Sequence, residues 1–436
     1  MIGALDLALI PSSIGGLLLA MALVRRAGAR FGLSPEMQRK LVHVTTGLYA
    51  LTLPYTFSSP AAAMLLLALS LAALVALRRP RFARFASSLH GVRRRSHGEI
   101  YLLFAVGFLY WFSPGDRALY VLPLLVLTLA DAAAALAGTR YGSKHFSVAE
   151  GTKSWEGVVM FFMVTLILSM TTLLLMTEID RPRIIALSLM VAGFGALVEA
   201  ESWGGRDNLF VPVGVYLLLA THVETPLPQL ALIGAIFLTM LIYAQQIGVA
   251  LGMTRHAARA TLVLIALMLA ASAPHNALLA VTALAAHVAA RAFAPRDDAF
   301  PDLDIVAVSA GVALLWLFAG EAVGANALDL YNLTFAGMAV LFAALAVQEA
   351  TRLRRLAVIA TSLAVVWAVL SRAAALNAAT QGWHGDLAPW AAASLALCAA
   401  AGWFAPEAFD RRRAWRVASL AGAIPIILFL TKGLLR

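Results

Sequence analysis

Apolar residues run along this chain in long unbroken stretches rather than in alternation. The stretches fall at 4–24, 41–57, 60–77, 99–113, 118–138, 156–176, 184–200, 209–222, 228–250, 260–273, 276–293, 303–320, 330–348, 356–375, 388–404 and 416–431. Many of them reach the roughly 17–25 residues that cross a hydrocarbon core of about 30 Å. Continuous runs lack the period-two signature of a membrane β-barrel. The pattern therefore predicts an all-α, polytopic transmembrane helical bundle of about sixteen spans. No basic segment precedes the first run, and Arg25 and Arg26 follow it. That is the reverse of a signal peptide, so residues 4–24 read as a first membrane helix that starts outside.

Threading these runs alternately sorts the Lys and Arg residues by side. Twenty-seven of the 33 collect on one side, and only Arg117, Arg181, Arg183, Arg372, Lys432 and Arg436 on the other. Basic residues accumulate in cytoplasmic loops, so the split places the richer side in the cytoplasm and the protein in an inner or cytoplasmic membrane. It also accounts for the net charge of +10 without a nucleic-acid partner. With 61% hydrophobic and 13% charged residues, the chain leaves its chemistry to helix ends and short loops. The single cysteine, Cys398, lies in an apolar run and excludes an internal disulfide or a cysteine metal cluster.

Polar residues of unusual type gather in four segments, all on the cytoplasmic side. They are RKLVHVTTG at 39–47, RRRSHGEIY at 93–101, the stretch from Asp131 to Gly157, and EAESWGGRDNLFVP at 199–212. Beyond TPLPQ at 225–229 such clusters become sparse, which predicts one domain at 1–226 and a second helical domain of unassigned role at 227–436. Isolated polar residues of that second part, among them His275, Asn276, His287, Asp304, Asn332 and Glu349, read as interhelical or interfacial groups.

Ionisable residues at membrane depth are costly and mark function by default. Asp131 stands near the end of one run and Lys153 at the start of the next, with Gly138 and Gly142 flanking a Thr-Arg-Tyr turn between them. Such glycines let backbone N–H groups approach phosphate oxygens, Lys144 and Lys153 supply charge, and the helix opening at Trp155 points its positive end at an anion. Asp131 is a candidate Mg²⁺ ligand. The same residues also fit a basic interfacial loop with Ser154 as an N-cap and a snorkelling lysine. Glu199, Asp207 and Asn208 form a second oxygen-rich cluster; a salt bridge from Glu199 to Arg206 is its ordinary alternative, and Glu201 reads as a solvated rim charge. Arg39, Lys40 and His43 share one helical face, the two cations as membrane anchors and His43 one turn deeper.

Taken together and in this order, RKLVHVTTG, GEIY at 98–101, DAAAALAGTRYG at 131–142 leading to KSWEG at 153–157, and the spacing from Glu199 through Asp207 and Asn208 to Pro212 carry a resemblance. Over residues 39–222 the chain resembles the CTP-dependent membrane lipid kinases, which include dolichol kinase, phytol kinase and yeast-type diacylglycerol kinase. The resemblance implies that Asp131, Gly138, Gly142, Lys153, Ser154, Glu156 and Gly157 belong to a CTP site. It further implies that Glu199, Asp207 and Asn208 complete a metal and phosphate shell, with Asp131, Glu199 and Asp207 as the Mg²⁺ ligands, and that Arg39, Lys40 and His43 form the first motif. The expected reaction is transfer of the γ-phosphoryl of CTP to the hydroxyl of a membrane isoprenoid alcohol, with Asp131, Lys153, His43 and Glu199 as the catalytic set. The KSWEG segment is also similar to membrane cytidylyltransferases acting on phosphatidic acid, but SWGGRDNLFVP departs from their histidine and D-R-x-D ending. A lipid transporter is the non-enzymatic alternative, and it lacks the expected repeat between halves.

Overall fold

The computed structural model describes residues 2–77, 97–148, 151–296, 298–323, 327–377 and 386–433. The arginines at 78–95 and the start of the 93–101 segment lie outside the described residues. By their internal contacts the residues form two compact units, Met1–Ile236 and Phe237–Arg436.

Unit one opens with α1 (Ala4–Phe31), which ends on Gly32 in the left-handed conformation at φ 64°, its N–H returning to the Gly28 carbonyl. Next, α2 (Pro35–Thr56) starts with Ser34 accepting the Met37 N–H and proline in the first turn, the ordinary chemistry of a helix start. Then come α3 (Pro60–Leu77) and α4 (Gly98–Phe112), followed by one long helix, α5 (Arg117–Tyr141). Asp116 caps α5 through the Leu119 N–H, and Pro123 removes a donor from its interior. Just beyond the proline the ladder widens into a π turn over Val126–Ala130, and Asp131 is the first residue after it. Such turns inside α-helices are frequent at functional sites.

After α5 come two short antiparallel strands, β1 (His145–Val148) and β2 (Gly151–Ser154), with Phe146 opposite Lys153. The hairpin leads directly into α6 (Trp155–Met176), and the Phe146 and Trp155 rings pack with centroids 5.0 Å apart. Two more helices, α7 (Arg181–Glu201) and α8 (Asp207–His222), follow, joined by a turn in which Gly204 and Gly205 take φ of 65° and 78°. Helix α9 (Leu227–Ala250) carries the division between the units.

Unit two comprises α10 (Arg255–Ala271), α11 (Pro274–Phe293), α12 (Pro301–Ala322), α13 (Leu328–Ala346), α14 (Arg352–Leu376), α15 (Ala388–Phe404) and α16 (Arg413–Leu428). Its centre is α13, buried over nearly its whole length. Asn276 on α11 accepts from Asn332 on α13 at 2.7 Å and from Asn377 beside α14 at 3.1 Å, an amide tie between helices. His287 meets Asp302 at 3.2 Å and pins the start of α12 to α11.

The chain is an all-α integral membrane protein with one small hairpin. Among the described residues ten helices are long and apolar enough to cross a membrane, rather than sixteen. The six other apolar stretches also fold as helices, α2, α3, α4, α8, α10 and α15, but they are too short or too polar to qualify. The apolar pattern reports helices faithfully, while length and hydropathy together support ten candidate spans among the described residues.

Helix α2 packs on the π turn of α5 at Gly47, where an added Cβ would lie 2.1 Å from Thr128 Oγ1. Gly47→Val should therefore destabilise the purified protein by about 1–3 kcal/mol. Thr128→Ala, which removes the two nearest obstructing atoms and leaves Cβ at 2.9 Å, should restore part of that loss in thermal unfolding.

Candidate active site

Asp131, Glu199 and Asp207 come from α5, the end of α7 and the start of α8, and each offers a carboxylate oxygen within 4.8 Å of the other two. Asp131 is only 4% exposed. It stands ten residues, roughly 15 Å, before the end of α5, so it lies inside a continuous helix and not at a helix end. The expected Thr-Arg-Tyr turn is likewise helical: Thr139–Tyr141 form the last turn of α5, and Thr139 Oγ1 bonds back to the Ala135 carbonyl.

Two lysines meet these acids. Lys40 Nζ lies 2.6 Å from both Asp131 oxygens, and both residues are buried. His43, one turn further along α2, places Nε2 3.5 Å from Asp131 Oδ2 and 3.3 Å from the Leu127 carbonyl within the π turn. Arg39 is exposed, so the first motif divides into an outer cation and an inner pair. Lys153 Nζ lies 3.1 Å from Glu199 Oε1 and also donates to the Glu199 backbone carbonyl. Burial opposes the charge on Lys153, but Glu199 and Asp207 more than offset this and hold the ammonium above its ordinary pKa.

The partner of Glu199 is thus Lys153, not Arg206. The hairpin carries Lys153 over the end of α7, while the Arg206 guanidinium stacks on the Trp203 ring at 4.7 Å. Glu201 is buried at 4% exposure rather than solvated at the rim, because α7 continues through it inside the bundle. Asn208 is also buried, and its Oδ1 has no hydrogen-bond partner.

The glycines have a packing reason. An added Cβ at Gly138 would come 2.9 Å from Ser154 Oγ; at Gly142 it would strike the Gly138 carbonyl first and lie 3.0 Å from Ser154 Cβ; at Gly157, 3.1 Å from the Ala134 carbonyl. All three let α5 and the start of α6 approach closely around Ser154, whose hydroxyl caps α6 by accepting the Gly157 N–H at 3.1 Å. Glu156 turns outward to the hairpin, accepting from Ser143 Oγ at 2.5 Å and from the Lys144 N–H at 3.1 Å, and the Lys144 side chain is exposed. The π turn, the Leu127 carbonyl and the Ser143–Glu156 brace are features that sequence reasoning missed. Pro123, eight residues before Asp131, is the signal that pointed to the first.

Three carboxylates, two lysines and a histidine gathered among apolar helices define the class: an integral membrane protein with a cluster of ionisable groups inside its helical bundle. A curated phytol kinase from Synechocystis sp. is 32% identical over 202 residues, 43% of this chain and 81% of that relative. The chain belongs to the phytol kinase family. No family model matches it, and no solved structure matches it.

The Lys153–Glu199 pair should show strong coupling. Lys153→Met and Glu199→Gln should each lower stability by about 1–3 kcal/mol, and the double variant by clearly less than their sum, in a double-mutant cycle on the purified protein.

Proposed function

We propose that the protein is an isoprenoid-alcohol kinase that transfers the γ-phosphoryl of CTP to the hydroxyl of a phytol- or polyprenol-type lipid at the cytoplasmic face. The observation that carries the reading is the convergence of Asp131, Glu199 and Asp207 on one point in a phytol kinase relative. The three offer carboxylate oxygens within 4.8 Å of one another, the all-oxygen donor set that a hard divalent cation prefers, and Asn208, next to Asp207 in the chain, has a buried Oδ1 without a hydrogen-bond partner. The donor set fits a hard cation, which when bound supplies charge neutralisation to the triphosphate.

The chain's own residues do the rest. Lys153 and Lys40 bring positive charge to the phosphates, and the start of α6 behind Ser154 points its N–H groups the same way. The alcohol oxygen forms a bond to the γ-phosphorus as the bond to the β,γ-bridging oxygen breaks, CDP departs, and the hydroxyl proton passes to His43 or a carboxylate beside it. His43 is oriented for this by the Leu127 carbonyl and Asp131. The lipid tail remains among the helices while its hydroxyl reaches the site. Gly138, Gly142, Gly157 and Glu156 support this arrangement through packing and the hairpin, with Lys144 and Arg39 at its outer edge. Residues 227–436 are proposed to serve as a separate helical domain.

The test is purified protein with CTP labelled at the γ-phosphate, offered phytol, farnesol, long polyprenols and diacylglycerol. The expected result is label in an isoprenoid product, abolished by a chelator and restored by Mg²⁺, with kcat reduced about 100-fold or more in Asp131→Asn, Glu199→Gln and Asp207→Asn. Label entering lipid from cytidine instead would establish cytidylyl transfer, and undiminished transfer in all three variants would contradict the site.

A further inference from the structure

We propose that Lys40 occupies the cation position on Asp131, so that a divalent ion enters this site by displacing the lysine rather than by adding beside it. The second half of the exchange, in which the released ammonium moves onto nucleotide phosphate, rests on the kinase reading above.

The geometry is that of a stand-in. Lys40 Nζ is equidistant, at 2.6 Å, from the two Asp131 oxygens, the position a cation takes when a carboxylate grips it with both. Both side chains are enclosed, so the ammonium is not an incidental surface partner. Three carboxylates within 4.8 Å of one another repel, and the cluster needs cations among them. Lys40 and Lys153 meet that need on two of the three. A metal ion bound to Asp131 competes with Lys40 for the same two oxygens, both of which the ammonium holds at 2.6 Å.

Lysine suits the task where arginine does not. Its ammonium is a point charge on a flexible four-carbon stem with three rotatable donors, able to turn from carboxylate to phosphate without losing its hydrogen bonds, whereas an arginine fork locks onto a carboxylate with two parallel bonds. The exchange makes metal and nucleotide binding mutually dependent. Metal alone must take Lys40 off Asp131, the acceptor it holds here, and a triphosphate supplies another. By linkage each then strengthens the other.

The experiment measures Mn²⁺ binding to the full-length protein in detergent or nanodiscs by electron paramagnetic resonance, with and without CTP. Wild type is expected to bind Mn²⁺ weakly alone and at least tenfold more tightly with CTP. Lys40→Met should bind Mn²⁺ alone at least tenfold more tightly than wild type, with little further gain from CTP. Lys40→Arg should bind it more weakly than wild type, and adding Asp131→Asn should erase the gain in Lys40→Met. Mn²⁺ affinity unchanged or lowered in Lys40→Met overturns displacement. Should Lys40→Met fail to fold, the Lys40→Arg arm decides in the same way, unchanged or tighter binding overturning it. The metal-only arms need no phosphoryl transfer. Displacement that holds while no alcohol is phosphorylated therefore removes the kinase reading alone, and active transfer with unaltered Mn²⁺ binding removes the displacement alone.

Discussion

Like charges at close range, among apolar helices, are the constraint around which unit one is built. At 4.8 Å two carboxylates repel by about 3.5 kcal/mol if the effective dielectric is near 20, and three of them form three such pairs. Lys40 and Lys153 offset this repulsion, and each must be delivered from a different part of the chain. Lys40 comes from α2, 91 residues before its acid, and Lys153 from a hairpin that exists only because α5 ends at Tyr141.

Several local features follow from that requirement. The π turn sets the angle at which Asp131 leaves α5 and presents the Leu127 carbonyl to His43. Gly47 lets α2 lie against that turn closely enough for Lys40 to reach Asp131. On the other side, Gly138, Gly142 and Gly157 bring α5 and α6 together around Ser154, which seats the hairpin so that Lys153 covers the end of α7. The Gly204–Gly205 turn then places Asp207 at the start of α8, within reach of Glu199.

Helix positions were legible in the sequence because apolar continuity is a local property: every apolar stretch became a helix. Asp131, Glu199 and Asp207 stood out for the same reason, each being an acid within or beside such a stretch. What the sequence did not disclose depends on relations between distant segments. The pairing of Lys40 with Asp131, the rotation that buries Glu201, and the preference of Glu199 for Lys153 over the nearby Arg206 are all decided by which helices pack together. The glycines illustrate a different limit. A small residue beside a lysine suggests an anion cradle, yet the same smallness is what two tightly packed helices require, and only the neighbours of each Cα distinguish the two.

Locating a bound cation tests the account most directly. Crystals or grids of the protein with Mn²⁺ and CTP should show one strong metal peak within bonding distance of Asp131, Glu199 and Asp207, with Lys40 turned away from Asp131. A metal bound elsewhere, or Lys40 still holding both Asp131 oxygens with the nucleotide in place, would contradict it.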